Sequence, residues 1–189
     1  MRRATKCRAA GFSLIELVLA IAVAVVLLAI GLPAFLRAYR IYELNNAARQ
    51  MADILRLTRY EAIRLNTTVS CVIQSAGATT NVWVDSNNNG TLDPTEKTIL
   101  LDASGMLAGT APSPVPISGQ IGTNSIVTPS STVTFDARGA VKPPTNVNVF
   151  YLQSQLAPDA GYRAVVLMPA GSIQIWMADM NGWNWQVQQ

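Results

Sequence analysis

Residues 17–36, LVLAIAVAVVLLAIGLPAFL, form a 20-residue run without a single charge. At about 1.5 Å of rise per residue such a helix covers about 30 Å, the thickness of a bilayer core. The run predicts a membrane-spanning helix over 12–36. A cleavable secretory signal would be shorter and end at a small-residue cut site, whereas this run continues into the basic, helix-forming RAYRIYELNNAARQMADILRLTRYEAIRL. Arg2, Arg3, Lys6 and Arg8 crowd ahead of the run and only Arg37 and Arg40 follow closely, so the amino-terminal side is expected in the cytoplasm and the rest exported. Pro33 lacks an amide hydrogen and, with Gly31, is expected to bend or loosen the helix near its outer end.

Glu16 stands at the head of this run. A carboxylate in mid-bilayer costs about 2.5 to 3.5 kcal/mol, less at the interface. One reading is an interfacial glutamate reaching back to the headgroups; the other is a carboxylate that meets a cation brought by a partner. The surrounding order is a basic leader, Gly11, Phe12-Ser13-Leu14-Ile15-Glu16 and then the apolar helix. It resembles the prepilin signature of type IV pilins and type II secretion pseudopilins. The resemblance implies that a membrane peptidase removes residues 1–11 by cutting between Gly11 and Phe12. It also implies N-methylation of the new terminal Phe12. The positive terminus would then meet Glu16 of a neighbouring subunit and set the register between packed helices. Buried ion pairs often only break even in stability, and a register role is their best-attested use.

Beyond Leu36 the pattern turns periodic. Ile41, Leu44, Ala48, Met51, Leu55, Thr58, Ala62 and Leu65 recur at spacings of three and four, which places them on one helical face over 37–65. That stripe predicts a helix packed on its own exported domain. Past Asn66, Val, Thr, Ile, Ser, Asn and Gly dominate, and short strands are predicted at 67–74, 80–84, 98–101, 132–136, 147–153, 163–168 and 172–177. Residues 103–129, with APSPVP inside, read as an exposed loop with one extra strand near 121–127. The expected fold class is α+β: a long amino-terminal helix packed on an all-β head of two small antiparallel sheets, the head spanning 66–189. Cys71 alternates with Val69 and Ile73, as a buried small hydrophobe would.

The run ARQMADILRLTRYEAIRLNTTVSCVI, then VWVDSNNNGTLDPTEKTILL, then RAVVLMPAGSIQIW, resembles the GspH/FimT family of pseudopilins and minor pilins. The resemblance implies a pilin-like fold with no catalytic residues. It implies assembly with other pseudopilins or pilins, processing by prepilin peptidase and methyltransferase, an inner-membrane anchor and a periplasmic head, with secreted cargo as a further partner. Within it, residues 85–96, DSNNNGTLDPTE, fit D-x-[DN]-x-[DN]-G-x5-E. Asp85, Asn87, Asn89, Thr91 (through its carbonyl), Asp93 and Glu96 supply oxygens at the spacing Ca2+ accepts. The same residues also read as a polar hairpin whose Asn-Gly turn needs positive φ, and the strand-like flanks rule out a helix-loop-helix.

Composition narrows the function. The chain has no histidine, no G-x-S-x-G and only two cysteines, Cys7 and Cys71, of which the first lies in the leader. Enzyme chemistry and a disulfide framework are therefore not expected. The net charge of +3 belongs to the leader; beyond residue 65 the chain carries about −3. DNA capture, the task of a FimT-like minor pilin in uptake, needs clustered cations, and the tail ADMNGWNWQVQQ has none. Trp183 and Trp185 are expected to pack on the protein or on a hydrophobic partner. The sequence therefore favours a minor pseudopilin of type II secretion over a pilus subunit.

Overall fold

The computed structural model describes residues 13–76, 79–102, 106–108, 117–121, 126–128, 131–179 and 184–188. The chain divides into two compact units, Met1–Ala38 and Tyr39–Gln189. Helix α1, Leu14–Leu65, has 52 residues and contributes to both. Its end is set by Asn66, which takes a left-handed conformation (φ 51°). The Thr67 amide donates to the Ala62 carbonyl and the Asn66 amide to Ile63, each at 3.2 Å. This is a Schellman cap, with asparagine where glycine is commoner.

In the first unit every described side chain of α1 is exposed, Leu14 by 80% and Ile30 by 73%. One 18-residue window of α1 reaches a mean hydropathy of 2.9 with none of it buried, so length and composition suffice to cross a membrane. In the second unit the helix is two-sided. Leu44, Ala48, Met51, Leu55, Thr58 and Ala62 are buried as the spacing predicts, joined by Ala47, Ala52 and Ile54. Ile41 is half-buried and Leu65 exposed, because the stripe drifts off the core at each end.

The strands are β1 (Val69–Ala76), β2 (Thr79–Asp85), β3 (Thr98–Leu101), β4 (Met106–Ala108), β5 (Ile126–Val127), β6 (Thr132–Phe135), β7 (Val141–Lys142), β8 (Val147–Gln153), β9 (Tyr162–Leu167), β10 (Ile173–Ala178) and β11 (Gln186–Val187). A short helix α2, Ser118–Ile121, precedes β5, and a 3-10 turn, Pro158–Ala160, precedes β9. The first sheet runs β3-β2-β1-β6-β7 and is antiparallel throughout. The second runs β11-β10-β9-β8-β4, and β5 adds to β8 in parallel. The expected pair of antiparallel sheets is thus present with one parallel pairing added.

The main core lies between α1 and the inner faces of both sheets. Val69, Cys71, Val82, Val84 and Phe135 enter it from the first sheet, and Phe150, Leu152, Val165 and Leu167 from the second. A second cluster covers the other face of the second sheet: Val149, Tyr151, Ala164 and Val166 meet Ile117 and Trp185. Strand β8 therefore buries both faces, which is why VNVFYL reads as nearly unbroken apolar sequence. The exposed-loop reading of 103–129 is corrected at its described residues, where Met106–Ala108 form β4. Ile117 is fully buried, α2 follows it, and the expected strand near 121–127 shrinks to β5. The segment 111–116 lies outside the described residues.

One side chain ties the layers together. The Arg59 Nε donates to the Gly139 carbonyl at 3.0 Å. Gly139 (φ +79°) turns the first sheet and Gly171 (φ +82°) the second. A Cβ on Gly171 would meet the Gly139 carbonyl and, at 2.7 Å, the Arg59 Nε. The Val141 amide donates to the Pro169 carbonyl at 2.9 Å and joins the same two turns.

Candidate functional site

The amino-terminal site is seen from one side. Gly11 and Phe12 lie outside the described residues, as do the rest of 1–11 and Trp183. Ser13 opens α1, its carbonyl accepting from the amides of Glu16 and Leu17 at 3.1 Å. Glu16 thus occupies the first helical turn, where the macrodipole favours a carboxylate. Ser13 and Glu16 also have the S-x-x-E spacing of a capping box, a signal that the reading of Glu16 as a lone acid overlooked. Pro33 lies inside α1, which continues through it. Without an amide hydrogen it leaves the Ala29 carbonyl without its usual intrahelical donor.

The 85–96 loop joins β2 to β3, so its flanks are strands. Its polar atoms are turned inward. Asp85, 2% exposed, accepts from the Asn89 amide at 3.1 Å and the Gly90 amide at 2.8 Å. The Asn87 Oδ1 accepts from the Asn89 amide at 3.0 Å, and the Asn89 Oδ1 from the Thr91 amide at 2.8 Å. Glu96 closes the loop by accepting from the amides of Ser86 (2.9 Å) and Asp93 (3.1 Å). The Asn87 and Asn89 side-chain nitrogens donate to one Asp93 oxygen at 2.8 and 2.9 Å. Gly90 (φ +74°) and Asn88 (φ 55°) supply the left-handed positions. Asn88 also pins the loop to β1, accepting from the Ser70 hydroxyl at 2.9 Å and donating to the Thr68 carbonyl at 2.7 Å. Sequence reasoning named neither Ser70 nor Asn88.

Among the described residues no three His, Cys, Asp or Glu side chains gather as a metal-holding group. The ring has amide oxygens from Asn87 and Asn89 and a carbonyl at Thr91 besides its carboxylates. The Asp85, Asn87 and Glu96 oxygens each accept one hydrogen bond and retain a second lone pair, whereas the Asn89 Oδ1 and one Asp93 oxygen already accept two. The donor set therefore fits a hard cation only as a mixed ring with few charges, in which Asn89 and Asp93 exchange a hydrogen bond for the ion.

The remaining candidates are structural. Cys71 is fully buried and desolvation pushes its thiol up to about 12, with the Thr58 hydroxyl pulling weakly the other way. Trp185 packs within the protein at 5.8 Å from the Tyr151 ring. Arg40, Arg56 and Arg64 pair with Glu43, Asp53 and Glu61 one helical turn away.

Residues 47–171 match the family described as type II transport protein GspH. The chain belongs to the GspH family. Residues 6–32 match the prokaryotic N-terminal methylation motif, a span that includes Gly11, Phe12 and Glu16. No curated protein matches significantly. Two crystal structures of the type IV minor pilin FimU from Pseudomonas aeruginosa strain PAO1 are similar. The first, in space group P21, has 20% identity and a TM-score of 0.49, covering 78% of this chain and 94% of that one. The second, in space group P65, has 18% identity and a TM-score of 0.44, covering 77% and 98%. As a GspH-family protein with a methylation motif and a membrane-length apolar helix, this is a pilin-like minor pseudopilin or pilin. The family carries with it assembly among pilin-like subunits and processing by prepilin peptidase.

Proposed function

We propose that this GspH-family chain is a minor pseudopilin of a type II secretion pseudopilus, cut between Gly11 and Phe12 and methylated on Phe12. In this account the first stretch of α1 is drawn from the inner membrane into a periplasmic filament, where Glu16 meets the Phe12 amino group of the next subunit. The observation that carries it is the GspH match over 47–171, joined to an apolar helix stretch whose described side chains are all exposed. No catalytic group is required. Deleting the gene in its native host tests it. Loss of secreted proteins with pili intact is expected; intact secretion with loss of pili or of DNA uptake would transfer the subunit to a type IV pilus.

We also propose that the 85–96 loop takes Ca2+ weakly, with Asp85, Asn87, Asn89, Thr91, Asp93 and Glu96 as ligands. Its support is the inward turn of Asp85, Asn87 and Asn89, whose side-chain oxygens already face the loop's own amides. Amide shifts at Asn89 and Gly90 on titration to millimolar Ca2+ are expected; unchanged spectra would leave the loop a self-satisfied polar hairpin.

A further inference from the structure

Arg163 lies in β9 and is only 5% exposed. Its Nε donates to the Asn45 Oδ1 at 2.6 Å, and its Nη1 to the carbonyls of Tyr162 at 2.9 Å and Ala160 at 3.4 Å. All three acceptors are neutral. Among the described residues no carboxylate stands at ion-pair distance from this guanidinium, whereas Arg40, Arg56 and Arg64, all more exposed, each have one. Burial accordingly pushes its pKa below the usual arginine value, with no acidic neighbour raising it. Buried charges in folded proteins are ordinarily paired, because an unmatched ion forfeits hydration without Coulombic return. Among the described residues no acceptor for Nη2 is found.

Arg163 lines a recess of about 340 Å3 together with Ala160, Met177, Ala178, Asp179, Asn184 and Gln186. Ala160, Met177 and Ala178 give an apolar wall for the methylenes of an incoming side chain, while the Asn184 and Gln186 amides offer further donors. Asp179 shares the recess and the chain beyond residue 65 carries about −3, both of which work against a polyanion. A single carboxylate suits a planar fork already held in place through Nε and Nη1, with Nη2 left to donate among the described residues.

We propose that the recess at Arg163 is a docking site for an Asp or Glu side chain of an adjacent pilin-like subunit, the buried guanidinium supplying one half of an ion pair that assembly completes. This rests on the filament reading, and two experiments separate the two ideas. First, the purified full chain in detergent is titrated with acetate, with chloride at equal ionic strength and with phosphate, following the side-chain amide signals of Asn184 and Gln186 and the Arg163 Nε. Saturable shifts with acetate alone are expected, weakened roughly tenfold or more in Gln186→Glu, which places a carboxylate in the recess from within. Equal responses to all three salts, or a response to phosphate alone, would overturn the proposal whether or not filaments form.

Second, Arg163→Lys puts an amine in the recess, and a carbodiimide joins an amine to a touching carboxylate as an amide with loss of water. In filaments from the native host, a cross-link from position 163 to an acid of another subunit is expected. A cross-link to Asp179 of the same chain, or none while the variant assembles and melts like the unsubstituted protein, would overturn it. If the unsubstituted chain enters no filament, the filament reading fails and the acetate titration still decides whether the recess binds a carboxylate.

Discussion

The two stretches of α1 on either side of Ala38 share a secondary structure and little else. Before it, every described side chain is exposed and nearly all are apolar; beyond it, nine residues are buried on one face while Arg49, Asp53 and Arg56 stay outside. The contrast separates two ways of satisfying a helix. The second stretch is completed by its own β head, as amphipathic helices in folded domains usually are. Among the described residues the first stretch is exposed and apolar along its length, a surface suited to lipid or to other subunits.

That comparison breaks most readily at the core. Leu55→Ala, at a fully buried position, is expected to destabilise the head by about 2–5 kcal/mol, whereas Val25→Ala, in the apolar stretch, should leave the head's denaturant midpoint unchanged. Equal losses would mean that the two stretches are not energetically distinct. Val25→Arg sharpens the other half: it should disfavour membrane insertion by about 2.5–3.5 kcal/mol while the head still folds, read as the fraction recovered with membranes. At the junction with the head, Asn66→Ala should cost about 1 kcal/mol in thermal melts, since alanine tolerates the left-handed cap poorly. The smallest effect concerns the exposed helix side, where Arg56→Ala removes only a one-turn pair of about 0.3–0.5 kcal/mol.

Cys71 adds a dependence on pH. Burial raises its thiol from 9.0 to about 12, so between those values the unfolded thiol ionises while the folded one stays neutral. The unfolded state then holds fewer protons, and stability falls as pH rises through that window. A Cys71→Ala variant should lose part of this alkaline sensitivity, and a thiol reagent at pH 8 should leave folded Cys71 unlabelled.

Much of the head was legible because period-two alternation survives wherever one face is buried: strands at 98–101 and 147–153 agree with the structure to the residue. Strands β7 and β11 were not legible, since two-residue pairings are decided by what lies across the sheet rather than by local pattern. Ile117 was hidden for a similar reason. Its burial depends on the outer face of the second sheet, which no local pattern reports. The Arg59, Gly139 and Gly171 junction joins residues far apart in sequence and is purely tertiary. Arg163 did leave a trace, a lone cation in the strand sequence YRAVVL, that could have been questioned as Glu16 was. For the site itself, the motif around Gly11, Phe12 and Glu16 was plain in sequence, while the hold of Asn88 on Ser70 was not.

The central claim is that the amino end of α1 is remade for assembly, and the intact mass of the protein recovered from its native host tests it most directly. A chain that begins at Phe12, lacks residues 1–11 and carries one added methyl group on its terminal nitrogen is the predicted result. A chain that retains residues 1–11, with Phe12 unmodified, would contradict it.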